Sequence, residues 1–268
     1  MAVKIGCIGG GNIVRAMLSG VKEGAAIEPG EVGIYDINQE VLDRYAAQGF
    51  QTFSSIADVL KESRVVLVAV LPQVIRSIVP ELAGGYSGAN VLLSVPPGVT
   101  CAWYAENVGA DVKAVQCTPT LTAQVGMGAY SIDRGPNLTD EDYAAVTDFL
   151  STSGIYEEIP ADLMNEVTPF AGCAPAYFYH MGDIILQEAE KYGLDPKAAL
   201  NLFAETMKGS AEMLLSSDEA PKDLEKKLLL PGAATLFAIN KMVELGFDDC
   251  LREGIAAGVA QCRVLGDQ

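Results

Sequence analysis

Ile5-Gly6-Cys7-Ile8-Gly9-Gly10-Gly11-Asn12 reads as an apolar strand, a glycine turn and the first residue of a helix. The strand signal is the apolar run Val3 to Ile8. The helix signal is Ile13, Ala16, Met17 and Gly20, which share a face over Asn12 to Val21. Gly9 permits the tight turn between them. Gly11 has no Cβ, so a pyrophosphate can approach the backbone and rest its charge on the helix N-terminus. This is the fingerprint of a dinucleotide-binding βαβ unit, with Val14 where a third glycine would fall. A second strand, Glu31 to Asp36, ends in an acid 25 residues past Gly11. A carboxylate there accepts hydrogen bonds from ribose hydroxyls and repels a 2′-phosphate. Ile37-Asn38-Gln39-Glu40 adds no arginine to hold such a phosphate. NADH is therefore the preferred cofactor, with NADPH as the alternative.

Outward from this unit, strand and helix keep alternating. Val65 to Val70 and Asn90 to Val95 are continuous apolar runs of strand length, the pattern of a parallel sheet covered on both faces. Val112 to Cys117, Gly128 to Asp133 and Ile155 to Ile159 are further strands. Thr139 is placed to cap a helix from Asp140 to Ser153 whose first turn is acidic. Residues 1–160 thus predict a Rossmann-type doubly wound α/β domain. After Pro160 period-two segments disappear. Ala161 to Phe170, Ala174 to Tyr192, Pro196 to Ser217, Ala233 to Gly246 and Asp248 to Leu265 read as helices, with breaks at Gly172, Gly193, Pro221, Pro231-Gly232 and Gly246. Residues 161–268 are expected to form an all-α dimerisation domain. Its helices are apolar over a wide arc, as Ile255, Ala256, Ala257, Val259 and Ala260 illustrate, and a second copy of the chain is the expected cover.

Two domains suit a length of 268 residues. The net charge of −17 repels phosphate backbones and anionic lipid, which argues against nucleic acid and membrane as partners. The longest apolar run, Val65 to Leu71, is too short to span a bilayer, and the N-terminus enters a strand pattern without a signal peptide. A cytoplasmic protein is expected. The six cysteines are scattered without Cys-x-x-Cys spacing and His180 is the only histidine, so the expectation is reduced, mostly buried thiols and no metal site.

Thr168-Pro169-Phe170-Ala171-Gly172-Cys173-Ala174-Pro175-Ala176-Tyr177 resembles the Thr-Ala-Leu-Ser-Gly-Ser-Gly-Pro-Ala-Tyr signature of pyrroline-5-carboxylate reductases. Leu230-Pro231-Gly232-Ala233-Ala234-Thr235 resembles their Ser-Pro-Gly-Gly-(Ala/Thr)-Thr loop. Gly9-Gly10-Gly11-Asn12-Ile13 is similar to their Gly-Ala-Gly-Asn-Met, Ala69-Val70-Leu71-Pro72-Gln73 to their Ala-Val-Lys-Pro-Gln, and Gly98-Val99-Thr100 to their Gly-Val-Thr. The resemblance runs in order along essentially the whole chain. It implies reduction of the cyclic imine of pyrroline-5-carboxylate to proline, a homodimer that can assemble further, and no metal. It also implies that Gly9, Gly11, Asn12, Ile13, Asp36, Val70 and Pro72 contact the cofactor, and Thr120, Cys173, Gly232, Ala233, Ala234 and Thr235 the substrate.

The chemistry agrees with those roles. A protonated imine is already electrophilic, so hydride transfer needs mainly orientation over the nicotinamide. A glycine-rich loop opening a helix supplies backbone N–H groups to a ring carboxylate. A hydroxyl beside the imine nitrogen can orient it and relay a proton, the role that the resemblance implies for Thr235. His180, on an apolar helix, is expected to be packed rather than to act as a general acid.

The departures from the family pattern cluster in the substrate half. Thr120 stands for an asparagine, Ala171 and Cys173 for the two signature serines, Ala174 and Ala233 for glycines, Leu230 for the loop serine and Leu71 for the lysine. They predict a less polar pocket. Three readings stay open: a pyrroline-5-carboxylate reductase with a divergent pocket, a related reductase of another cyclic imine or carbonyl compound, and a dinucleotide-binding paralogue without activity.

Overall fold

The computed structural model describes residues 2–266. Met1, Asp267 and Gln268, which the two expected domains include, lie outside the described residues. Eight strands form one sheet: β1 Val3–Ile8, β2 Val32–Tyr35, β3 Gln51–Thr52, β4 Ser63–Val68, β5 Val91–Ser94, β6 Ala114–Thr118, β7 Gly128–Arg134 and β8 Gly154–Glu158. Their spatial order is β3-β2-β1-β4-β5-β6-β7-β8. Between them run α1 Asn12–Met17, α2 Gln39–Ala46, α3 Ile56–Glu62, α4 Pro72–Gly85, α5 Cys101–Asn107 and α6 Asp140–Ser151.

The continuous apolar strands have the predicted consequence. Alternate residues point to opposite faces, and both faces are covered. Val65 and Leu67 join Val14, Met17 and Phe149 on one side, while Val66 and Val68 join Val59, Leu82 and Tyr104 on the other. Side-chain caps start several helices where the sequence supplies an oxygen: Asn38 for α2, Ser55 for α3, Thr100 for α5 and Thr139 for α6.

Within the sheet, the expected parallel arrangement holds from β3 through β6. β7 runs antiparallel to β6, and β8 follows β7 in parallel. The nine residues 119–127 between β6 and β7 are too few for a helical crossover, so the chain must turn back on itself.

After β8 the chain is helical: α7 Met164–Val167, α8 Ala174–Lys191, α9 Pro196–Ser216, α10 Pro221–Lys226, α11 Ala234–Glu244 and α12 Phe247–Gly266. The helix expected over Ala161 to Phe170 is instead a 3-10 turn, Ala161–Leu163, followed by the four residues of α7. Thr168 keeps helical backbone, but Pro169 after it has no N–H to continue the ladder. α10 lies in a stretch where the sequence showed only a break at Pro221, which takes the first helical position.

Two compact units divide the chain after Pro175, and the last helix returns to the first unit from Gly258 onward. The ion pair between Arg263 and Glu166, with Arg263 Nε donating to Glu166 Oε1 at 2.9 Å, belongs to that first unit. The second unit, residues 176–257, presents a different surface. Helices α9, α10 and α11 contain no buried residue, and Phe178, Tyr179, Leu202, Leu215, Phe237 and Leu245 are all exposed. His180 is exposed on α8 as well, contrary to the expectation that it is packed. No helix among the described residues is long and apolar enough to cross a membrane.

Candidate active site

Strand β1 lies between β2 and β4, so the chain leaves the sheet in opposite directions on either side of it. A crevice at the carboxyl ends of the strands opens at such a switch point. Residues 9–11 lie there. Gly9 has φ +95°, and a Cβ on it would stand 2.6 Å from the carbonyl oxygen of Ala69. No L side chain fits that turn. The Gly9 N–H donates to Tyr35 O at 2.8 Å and Ala69 N–H to Ile8 O at 3.0 Å, which ties the turn to both neighbouring strands.

The peptide groups of Gly10 are held at both ends. Its N–H donates to Asp36 Oδ2 at 2.7 Å, and Asp36 Oδ1 accepts from Asn38 N–H at 2.9 Å. Its carbonyl accepts from Arg44 Nη2 and from the Tyr45 hydroxyl, each at 3.2 Å. Burial pushes the Tyr45 phenol up to about 12, so it stays protonated and keeps donating. Arg44 and Tyr45 are residues that the sequence reading missed. Both lie beyond the four positions that follow Asp36, and α2 carries its last turn back to the glycine loop.

Gly11 caps α1 with no side-chain cap bond, and a Cβ on it would meet nothing within 4 Å. The backbone there is open to an approaching phosphate, and the half-buried Asp36 carboxylate ends the adjacent strand. This arrangement fits the pyrophosphate and ribose of a dinucleotide. Asn12 is exposed, Ile13 packs against the core, and Val14 is fully buried in it. Val70 and Pro72 are half-buried where β4 passes into α4, and Leu71 between them is exposed.

The expected substrate residues fall in both units. In the first, Thr120 is buried, and its hydroxyl accepts from Ala129 N–H at 2.9 Å and pairs with the Thr122 hydroxyl at 2.7 Å. Cys173 is half-buried, its N–H donating to Thr168 O at 3.1 Å. In the second unit, Gly232 has φ +81° and leads to Ala233, the N-cap of α11, with φ −73°. Ala233 N–H donates to Leu230 O at 2.9 Å. Ala234 and Thr235 are the first two residues of α11, and both are exposed.

The cysteines are all free. Cys7, Cys101 and Cys117 are buried, Cys173 and Cys262 half-buried, and Cys250 exposed. Burial pushes the Cys7 and Cys117 thiols up and Cys101 up to about 12, which leaves them protonated and unreactive. Among the described residues, no group of three or more His, Cys, Asp and Glu side chains could hold a metal ion.

Comparison with known proteins places this architecture. Residues 161–265 match the family described as pyrroline-5-carboxylate reductase dimerisation, and residues 4–98 the one described as NADP oxidoreductase coenzyme F420-dependent. The chain is 27% identical over 264 residues to a pyrroline-5-carboxylate reductase of Methanosarcina acetivorans, with 98% of each covered. It is 26% identical over 263 residues to that of Escherichia coli, covering 98% of this chain and 96% of the relative. Its fold superposes on a Plasmodium falciparum pyrroline carboxylate reductase solved with NADP bound, with a TM-score of 0.89, 24% identity and 98% of each chain covered. Residues 161–265 thus belong to the pyrroline-5-carboxylate reductase dimerisation family, and the chain is similar over nearly its whole length to these reductases.

Proposed function

We propose that this chain reduces the ring imine of pyrroline-5-carboxylate to proline, using a nicotinamide dinucleotide with NADH preferred. The observation that carries the reading is the open Gly11 backbone beside Asp36 at the switch point, in a chain similar over its whole length to such reductases. The dinucleotide, when bound, supplies the hydride. Gly9, Gly11, Asn12 and Ile13 present backbone to its pyrophosphate, Asp36 accepts from its ribose hydroxyls, and Val70 and Pro72 flank it. Asp36 beside a 2′-phosphate costs about 1 to 3 kcal/mol, which is the basis of the NADH preference.

On the substrate side, the N–H groups of Gly232 and Ala234 receive the ring carboxylate, while the Ala233 N–H holds the loop by donating to Leu230 O. The negative φ of Ala233 means that alanine adopts this backbone without strain, so loss of the family's glycine does not distort the loop. The Thr235 hydroxyl orients the imine nitrogen and relays its proton. The hydride adds to the ring carbon of the protonated imine and leaves a neutral secondary amine, which then takes a proton from solvent through the Thr235 hydroxyl. Thr120 and Cys173 border the ring. Since the Thr120 hydroxyl is already engaged with Ala129 and Thr122, it shapes the pocket by holding backbone rather than by offering a free donor. The helices of the second unit bury their apolar faces in a homodimer, and dimers assemble further. The free cysteines accord with a cytoplasmic protein.

Steady-state kcat/KM for pyrroline-5-carboxylate, six-membered cyclic imines and uncharged cyclic imines, each with NADH and NADPH, tests this reading. Pyrroline-5-carboxylate with NADH is expected to be the best pair, by about tenfold over NADPH. Equal efficiency with NADPH removes the cofactor preference. A six-membered or uncharged imine that outperforms pyrroline-5-carboxylate replaces the substrate. Dinucleotide binding without turnover of any imine makes the chain a non-catalytic paralogue.

A further inference from the structure

We propose that Arg44 is a cofactor-specificity residue, offering its guanidinium to the 2′-phosphate of NADPH and so limiting the exclusion that Asp36 imposes. The inference rests on the dinucleotide reading above. Asp36 and Arg44 hold the two ends of one residue: the carboxylate takes the Gly10 N–H at 2.7 Å and the guanidinium gives a hydrogen bond to the Gly10 carbonyl at 3.2 Å. A Cβ on Gly10 would stand 2.5 Å from Val41 Cγ1, so the missing side chain is what lets α2 approach the loop closely enough for Arg44 to reach it. The residue whose N–H holds the proposed ribose acceptor thus anchors a cation at its carbonyl.

Arg44 is not needed to hold the loop. The buried Tyr45 hydroxyl donates to the same carbonyl at the same 3.2 Å, so that task is duplicated. Arg44 is exposed, forms no ion pair among the described residues, and spends one of its N–H donors on Gly10. Its guanidinium lies 5.3 Å from the centroid of the Tyr45 ring, which gives the charge a fixed platform. A planar guanidinium with free donors is suited to a phosphate. In a chain of net charge −17, the global field repels such a group, and attraction must come from a local cation of this kind.

Calorimetric titration of the full chain with NADPH and with NADH, at low and high salt, for the unaltered protein, R44Q and R44K, tests the proposal. R44Q is expected to weaken NADPH about tenfold, one charge-assisted contact, while NADH stays within about twofold. R44K is expected to retain most of the NADPH affinity. Salt is expected to weaken NADPH more steeply in the unaltered protein than in R44Q, because the guanidinium–phosphate attraction is screened. A thermal unfolding midpoint for each variant confirms folding. Equal weakening of both dinucleotides in R44Q reduces Arg44 to a loop support and overturns the proposal, as does an unchanged NADPH affinity. Failure of the unaltered chain to bind NADH overturns the dinucleotide reading, and this inference with it.

Discussion

Thr235 enters α11 two residues after the N-cap Ala233, with its side chain exposed. A threonine in a helix's first turn has little local reason to be there, because its β-branch restricts its rotamers. Its proposed work is on the imine nitrogen, where one hydrogen bond that strengthens in the transition state contributes about 2 to 4 kcal/mol in a dry site. Thr235→Ala should therefore lower kcat by about thirtyfold or more and leave the NADH dissociation constant within about twofold. Steady-state kinetics beside a dinucleotide titration separates the two effects. An unchanged kcat would remove Thr235 from the mechanism. At this scale the sequence was readable where a residue's task is local: Gly9 needs a positive φ and Gly11 an open face, and both positions follow from adjacency in the chain. Arg44 was not readable, because its relevance depends on α2 folding back against Gly10.

Among the elements, α6 shows what couples a helix to the sheet. Asp142 forms a capping box with Thr139 and pairs with Arg64 Nη2 at 2.7 Å and Lys113 Nζ at 2.9 Å, at 1% exposure. Arg64 comes from β4 and Lys113 from the residue before β6, so one carboxylate joins three parts of the fold. Burial alone would raise its pKa, but hydrogen bonds from Lys113 and Thr139 and the charge of Arg64 outweigh burial and lower it to about 2. A carboxyl whose folded pKa lies below its unfolded value adds stability above the unfolded value and loses it as pH falls toward the folded one. The contribution is about 2 kcal/mol, and it should fade between about pH 4 and pH 2. Asp142→Asn should cost about 3 kcal/mol, since it leaves Lys113 without its carboxylate and Arg64 with only the exposed Glu141 at 3.6 Å, and should flatten the acid limb of the stability curve. Urea unfolding across that pH range checks both. An acid limb as steep in the variant as in the parent would show that other carboxylates govern it. Thr139 as the cap of this helix was legible in the sequence, whereas the two cations were not, because they are 78 and 29 positions away from Asp142.

For the whole molecule, the two units differ in how they treat water. The first buries strands and helices on both sheet faces, while Leu202 at 72%, Leu215 at 78% and Leu245 at 75% exposure show that the second leaves large side chains uncovered. Each such side chain is worth about 1.5 to 3 kcal/mol when buried, so several together exceed the stability of a typical small domain. The chain should therefore be an obligate dimer through residues after Pro160. Light scattering at micromolar concentration should give about twice the 28.3 kDa chain mass or a multiple of it, and the unfolding midpoint should rise with protein concentration. A stable, active monomer would refute this.

The amino-acid pattern was enough for every strand but β3 and for helices α1, α6, α8, α9, α11 and α12, since these rest on periodicity within short windows, but it did not mark α10. It was enough, too, for the glycine turn and the acid at the end of β2. It did not contain the reversal at β7, which follows from how few residues separate two strands that pair, or the early end of α7, where a single Pro169 outweighs an apolar run. Nor did it contain the grip of Asp36, Arg44 and Tyr45 on Gly10 or of Arg64 and Lys113 on Asp142. Local propensity acts between neighbours in the chain, whereas hydrogen bonds and ion pairs act between neighbours in space, and packing of the sheet brings those groups together.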